Sequence, residues 1–185
     1  MPEDREIESH ADGHDRDKLE RWRLGLEHDE PDAFPVCAIF LVSESDQRAH
    51  DSFREFRDSF ESRKAGFHHV VIFGQHGVST TVRALLADLS LPPEHLPCLV
   101  LAAGAEAKEA IVFKLPAGNE PEPSNSSDAP TPEALLGQVE SLIDRNQEMD
   151  GRAPLGDLRD LDGGVTRDLG GKSLVQVAAS LQTRV

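Results

Sequence analysis

Short apolar runs alternate with helical stripes through the middle of this 185-residue chain. The runs at 36–42, 69–73 and 96–103 are too short for helices and lack polar alternation, which is typical of strands covered on both faces. A fourth run, 110–115, follows the third after a short turn. Because so short a connection suits antiparallel neighbours, we expect the last two strands to be antiparallel.

Three amphipathic helices are predicted between and after these strands. The first begins at Ser45 or Asp46, both good N-caps, and the third begins at Thr131 with Pro132 in its first turn. Pro92 and the proline after it end the second. The apolar faces consist of Ala49, Phe53, Phe56 and Phe60, then Val82, Leu85, Leu86 and Leu89, and finally Leu135, Leu136, Val139, Leu142 and Ile143.

The two ends of the chain and one internal segment look different from this core. Residues 1–34 form an acidic arm, poor in apolar groups, and residues 119–130 are rich in proline and serine, which predicts a mobile loop. Residues 149–185 contain three glycine-rich breaks, two of them glycine pairs, and predict a flexible tail. We therefore expect one domain over 35–148, flanked by flexible tails.

Both tails nevertheless contain apolar residues that could contact a partner. In the arm, the spacing of Leu19, Trp22 and Leu26 predicts a short amphipathic helix over 15–26, which docks on its own domain or on a partner. The segment 173–182 fits a helix or an alternating strand, and its pattern does not distinguish them. The partner-contact candidates are Leu19, Trp22, Leu26, Leu174, Val175, Val177 and Leu181.

Charge and composition narrow the function classes. The net charge of −15, from 34 acidic and 19 basic residues, disfavours nucleic acid and anionic membranes as partners. This acidic composition also fits a prokaryotic, halophile-like or high-GC proteome. The chain contains no apolar segment long enough to span a membrane and no signal-peptide pattern, so we expect a cytoplasmic protein. Cys37 and Cys98 lie in apolar runs, as small buried hydrophobes do.

The order of elements resembles the thioredoxin-like fold over residues 34–145. The resemblance is supported by Pro97, which stands where that family has a cis-proline before its third core strand. It implies an α/β three-layer sandwich around a mixed sheet of about four strands. The family's redox cysteines would fall at 43–46, which here reads Ser-Glu-Ser-Asp. Disulfide exchange needs a low-pKa thiolate at that helix start, so we expect none.

Two alternatives assign chemistry to other residues. Cys98 follows Pro97 directly, so a thiol-dependent redox enzyme or sensor is one hypothesis, against which stands an inert core cysteine. The turn 74–80 joins a strand to a helix and could bind a nucleotide or another anion through Gly74, Gly77, Ser79 and Thr80. It lacks the Walker lysine, so a tight turn with an N-cap explains it better. This alternative requires a flavodoxin- or Rossmann-like sheet.

The histidines of the sequence do not indicate a metal site or a catalytic site. His10 and His14 are four residues apart and could share a metal in a helix, although such pairs arise by chance in a polar arm. His68, His76 and His95 flank predicted strands without a nucleophile elbow. We expect no enzymatic activity, no cofactor and no metal. The leading hypothesis is a non-catalytic thioredoxin-like interaction module that binds a protein partner through its tails.

Overall fold

The computed structural model describes residues 10–28, 34–118, 131–148 and 155–185. Two short 3-10 helices lie within these ranges, at Phe67–His69 and Pro93–His95. In chain order the main elements are α1 (His10–Glu27), β1 (Cys37–Leu41), α2 (Gln47–Ser62), β2 (Val70–Phe73), α3 (Thr80–Asp88), β3 (Cys98–Ala102), β4 (Glu109–Lys114), α4 (Pro132–Glu148), α5 (Leu155–Arg159), β5 (Val165–Asp168) and α6 (Leu174–Arg184).

The five strands of the described residues form one open mixed sheet in the order β2-β1-β3-β4-β5. β1 is parallel to β2 and antiparallel to β3. β4 is antiparallel to both β3 and β5. The predicted antiparallel direction of the strand after β3 is thus confirmed. It counts against the flavodoxin- or Rossmann-like sheet that the nucleotide hypothesis required, since those sheets are mostly parallel.

Both faces of the sheet are covered by helices. Because side chains alternate along a strand, Cys37, Ile39 and Leu41 of β1 face one apolar layer, while Ala38 and Phe40 face the other. The first layer contains apolar residues of α1, α3 and α6, and the second those of α2, α4 and α5. The predicted phenylalanine stripe of α2 is confirmed, since its members are buried in the second layer: Phe53, Phe56 and Phe60.

The N-terminal arm contains a long helix that packs on the domain. α1 covers residues predicted to be mostly solvated, and Leu19 and Trp22 are fully buried, with Leu26 3 % exposed. The Trp22 ring meets the Phe73 ring edge-on, with centroids 5.7 Å apart. An edge-to-face pair adds to the large apolar area that tryptophan buries. Of the two docking options, the structure shows docking on the chain's own domain.

The predicted flexible tail is wrong for residues 155–185. β5 adds a fifth strand to a sheet expected to have about four, and α6 packs on the first apolar layer. α6 is a helix because Ser173 and Gln176 form a capping box at its start. Its helical spacing buries one stripe, which the alternating pattern had obscured: Leu174, Val177, Ala178 and Leu181.

The loop predicted at residues 119–130 lies outside the described residues, as do residues 1–9, 29–33 and 149–154.

Candidate functional site

The segment after β1, where the resemblance implies a redox motif, is organised by a buried aspartate. Asp46 is 5 % exposed, and its Oδ2 accepts hydrogen bonds from the Ser43 amide and the Ser43 hydroxyl, both at 2.8 Å. Its Oδ1 accepts the Gly118 amide at 3.2 Å. His50 Nε2 lies 3.0 Å from the Ser43 carbonyl oxygen. The carboxylate therefore fixes the loop between β1 and α2 and ties it to the chain after β4.

Cys98 lies beside this loop, opposite Leu41 in the sheet. The Leu96–Pro97 peptide that precedes it is cis. Cys98 is fully buried, and burial raises the pKa of its thiol to about 12, despite the opposing effect of Lys114. A buried thiol that stays protonated at neutral pH is not a nucleophile. The geometry at Cys98 is therefore that of a buried core thiol.

The rim of the same sheet end is formed by Lys114 and the loop before β3. The Lys114 ammonium donates hydrogen bonds to the Leu96 and Glu94 carbonyl oxygens, the latter at 3.3 Å. Burial lowers the pKa of His95, and the charges of Lys114 and Arg167 lower it further. His95 and Lys114 thus lie at one end of the sheet, close to the Asp46 loop.

The turn between β2 and α3 contains the proposed anion-binding groups, and the chain itself occupies them. The Gly74 amide and the Ser79 hydroxyl donate to Asp15 Oδ2 at 2.8 and 2.6 Å. The Thr80 amide and hydroxyl donate to Asp12 Oδ1 at 2.7 and 3.0 Å. Two carboxylates of α1 therefore stand where an external anion would bind. The Gly77 amide donates to the Gly74 carbonyl oxygen at 3.1 Å, within the turn, where Gly77 has a φ of +121°.

Ser79 also caps α3, because its hydroxyl oxygen accepts a hydrogen bond from the Val82 amide at 3.2 Å. A serine at this position satisfies one of the free amides of the first turn. The interpretation of this segment as a tight turn with an N-cap is therefore confirmed. What the sequence did not predict is that Asp15, 64 positions before Ser79, completes the cap.

A buried lysine follows Asp15 by one turn of α1. Lys18 is 5 % exposed and donates to the Ile72 carbonyl oxygen and to Gln75 Oε1, both at 2.8 Å. Burial lowers its pKa to about 8, although Asp15 opposes the shift. Burial likewise raises the pKa of Asp15, against the hydrogen bond from Ser79 and the charge of Lys18. The two charged groups thus fix α1 to both ends of the same turn.

Three histidines meet at this junction. The His76 ring lies 4.3 Å from that of His14 and 4.9 Å from that of His10, measured between centroids. The first two were recognised as an i,i+4 pair, but their proximity to His76 depends on how α1 docks. Within the described ranges, no group of three or more histidines, cysteines or carboxylates is arranged to hold a metal ion.

The predicted partner-contact residues lie in the interior instead. All are buried except Val175, which is partly buried and packs on the first apolar layer. Their apolar stripes are explained by core packing, which is the commoner role of such residues. A small cavity of about 10 Å³ also lies in this layer, next to Leu85 and Val177. It is too small for a ligand and is lined by apolar groups.

No family model, no curated protein and no solved structure matches this chain. Within the described part of the chain, no helix is both long and apolar enough to cross a bilayer.

Proposed function

We propose that this chain is a thioredoxin-like module without redox chemistry that acts by binding a protein partner. The observation that carries the proposal is the Asp46 network at the start of α2. The cis Leu96–Pro97 peptide and the strand order β2-β1-β3-β4 are consistent with the resemblance on which it rests.

The chemistry of this loop argues against a redox role. Hydroxyls and a carboxylate cannot cycle between dithiol and disulfide. Asp46 is instead engaged by three hydrogen bonds, two from Ser43 and one from Gly118, which stabilise the loop in one conformation. The thiol at this end of the sheet, Cys98, is buried, with its pKa raised to about 12. A rigid loop without a reactive group suits recognition better than catalysis.

The partner surface has to be sought outside α1 and α6, because their apolar faces are in the core. We place it on the rim around the Asp46 loop, which we call the sheet-end surface. It consists of exposed or half-exposed polar residues on two loops and one strand end: Glu44, Ser45, Glu94, His95 and Lys114. Loops held by a rigid sheet commonly carry binding function, and the charges here favour a polar partner.

The test is a quantitative pull-down with the full chain and two double variants of equal charge change. Removing the ends of the chain would not test the proposal, because α1, β5 and α6 belong to the core. Glu44→Arg with Glu94→Arg alters the sheet-end surface, while Glu55→Arg with Glu61→Arg alters exposed positions of α2. We expect a partner that the wild type and the α2 variant retain and the sheet-end variant loses.

Identical partner sets for all three proteins, or none for the wild type, would contradict the proposal. A parallel assay of insulin disulfide reduction separates the redox alternative. We expect no reduction above the rate of the chemical reductant alone. Turnover that disappears in Cys98→Ala would instead favour the thiol-dependent enzyme.

A further inference from the structure

A cluster of three histidine rings joins α1 to the turn between β2 and α3. His10 and His14 belong to α1, and His76 belongs to the turn. Within the described residues, no other contact between rings joins α1 to this turn. The three ring centroids of the cluster are 4.3, 4.9 and 6.3 Å apart. Imidazoles at these separations pack well when neutral and repel one another when more than one is protonated. The contact between α1 and the turn is therefore sensitive to the charge of these rings.

The cluster lies directly beside the hydrogen bonds that fix α1. Asp12 accepts from Thr80, and Asp15 accepts from Gly74 and Ser79, all within one turn of helix from His14. His10 and His14 also lie in the first turns of α1, where the partial positive charge of the helix disfavours added cations. Protonation of these histidines therefore weakens the junction in two ways, through repulsion between the rings and through the positive charge at the start of the helix.

The charges around His14 come from both sides of the junction. Burial is the largest cause that lowers the pKa of His14 below its ordinary 6.5. Lys18 and His10 on α1 and His76 on the turn lower it further, and Asp15 on α1 opposes the shift. Arg184 of α6, which packs on α1, is paired with Asp88 of α3 at 2.6 Å. His14 is therefore neutral in the docked state at neutral pH.

The directions of the pKa shifts of His14 and Asp15 determine how the docking of α1 depends on pH. A histidine whose pKa is lowered by docking favours the docked state above pH 6.5 and loses that preference as the pH falls toward the lowered pKa. Asp15 acts in the opposite direction, because burial raises its pKa and docking then favours its protonated form. A variant that removes a histidine and leaves Asp15 in place separates the two contributions.

We propose that His10, His14 and His76 form a pH-sensitive latch, which holds the start of α1 on the turn between β2 and α3 at neutral pH and releases it in mildly acidic solution. Release breaks the Asp12 and Asp15 contacts while the Trp22 end of α1 remains in the core. It also frees the Gly74, Ser79 and Thr80 donors, which an external anion can then reach. The latch is independent of the function proposed above.

The direct readout is amide hydrogen exchange at Gly74 and Thr80, whose N–H groups donate to Asp15 and Asp12. Exchange is measured by NMR on the full chain at pH 7.5 and 5.5 and corrected for the intrinsic rate at each pH. We expect protection of both amides to fall roughly tenfold at the lower pH, a change of about 1.4 kcal/mol in the free energy of local opening. Amides of the β1–β3 ladder should keep their protection, since the opening is local.

His76→Gln is the test variant, because His76 is exposed and its loss leaves the core intact, and His14→Gln is a second. His28→Gln, an exposed position at the end of the same helix, is the matched control. Both test variants should lose the pH response, while the control retains it. Higher salt should weaken the response of the wild type, since it screens repulsion between the rings.

The proposal is overturned if the wild type keeps full protection at pH 5.5, or if His76→Gln and His14→Gln respond to pH as the wild type does. Simultaneous loss of protection in the β1–β3 ladder would also overturn it, since that result means global acid unfolding.

Discussion

The carboxylate of Asp15 accepts a hydrogen bond from the Ser79 hydroxyl at 2.6 Å, and both residues are buried, with 1 % and 0 % of their surfaces exposed. The same oxygen accepts the Gly74 amide at 2.8 Å. One side chain of α1 thus completes the cap of α3 and fixes the turn that leads into it. This contact joins the N-terminal helix to the sheet by polar as well as apolar interactions.

Replacing Asp15 by alanine should destabilise the protein by about 1–3 kcal/mol, because two buried donors lose their acceptor. Asp15→Asn keeps an acceptor oxygen of the same shape and should cost less. Urea unfolding followed by circular dichroism measures both. In a double-mutant cycle with Ser79→Ala, we expect a coupling of about 0.5–3 kcal/mol. A coupling of zero would mean that the two residues do not stabilise each other.

Trp22→Ala tests whether α1 is part of the domain. Trp22 is fully buried against Phe73, so truncation should cost about 3–5 kcal/mol, the usual range for a large core residue. Leu24→Ala is the control on the same helix, since Leu24 is 39 % exposed and should change stability by no more than about 0.5 kcal/mol. Equal urea midpoints for Trp22→Ala and wild type would show that α1 is a mobile arm after all.

Asp15 and Trp22 also show how much of the structure could be predicted from the sequence. The core strands and the phenylalanine face of α2 were predictable because their signals are local and periodic. The docking of α1 was only one of two options, since Leu19, Trp22 and Leu26 fit either a core or a partner. The role of Asp15 could not be predicted, because its donors lie 59 and 64 positions away.

The C-terminal region was missed for a different reason. β5 has a single large apolar residue, Val165, in a short segment between two glycine pairs, which is too weak a pattern for a strand. It exists because the free edge of β4 offers hydrogen bonds to it. For α6 a usable signal was present, since Ser173 and Gln176 have the spacing of a capping box, but alternation of the valines masked it.

Gly74→Ala should be strongly destabilising, because a Cβ there would lie 2.0 Å from the Val42 carbonyl oxygen and the residue has a φ of +95°. Gly77→Ala is the matched control, with a φ of +121° but a nearest contact at 3.6 Å, to Ala11 Cβ. The control should cost about 1–3 kcal/mol from backbone strain alone. We expect the cost at Gly74 to exceed it clearly in urea unfolding. Equal costs would mean that the backbone collision is relieved by a small shift.

Cys98 should resist alkylation in the native protein. A pKa of about 12 in place of 9.0 lowers the thiolate fraction at neutral pH roughly a thousandfold, and the side chain is fully buried. In a Cys37→Ala background, iodoacetamide at pH 8 should label the native protein far more slowly than the urea-unfolded protein, as measured by intact mass. Labelling of the native thiol faster than a free thiol would show that it is activated.

We expect the buried Lys18 to make the free energy of unfolding rise with pH in alkaline solution. Its pKa is about 8 in the folded protein and 10.5 in the unfolded chain, so the unfolded chain binds more protons between these values. Stability contributed by this group therefore rises with pH across that window, as the buried ammonium becomes a neutral amine that still donates to Ile72 and Gln75. Lys18→Met lacks this gain, so its stability relative to wild type should decline from pH 8 to pH 10.

Urea unfolding at a series of pH values measures the difference between the two proteins, which cancels the titration of all other groups. Lys108→Met, at an exposed position, is the control and should show a constant difference from wild type over the same range. If the Lys18→Met difference is equally constant, the ammonium is hydrated in the folded state, and the buried contact with the turn does not hold in solution. A decline confined to Lys18→Met would instead show that Lys18 is buried in the junction of α1 and the sheet and that its pKa is lowered there.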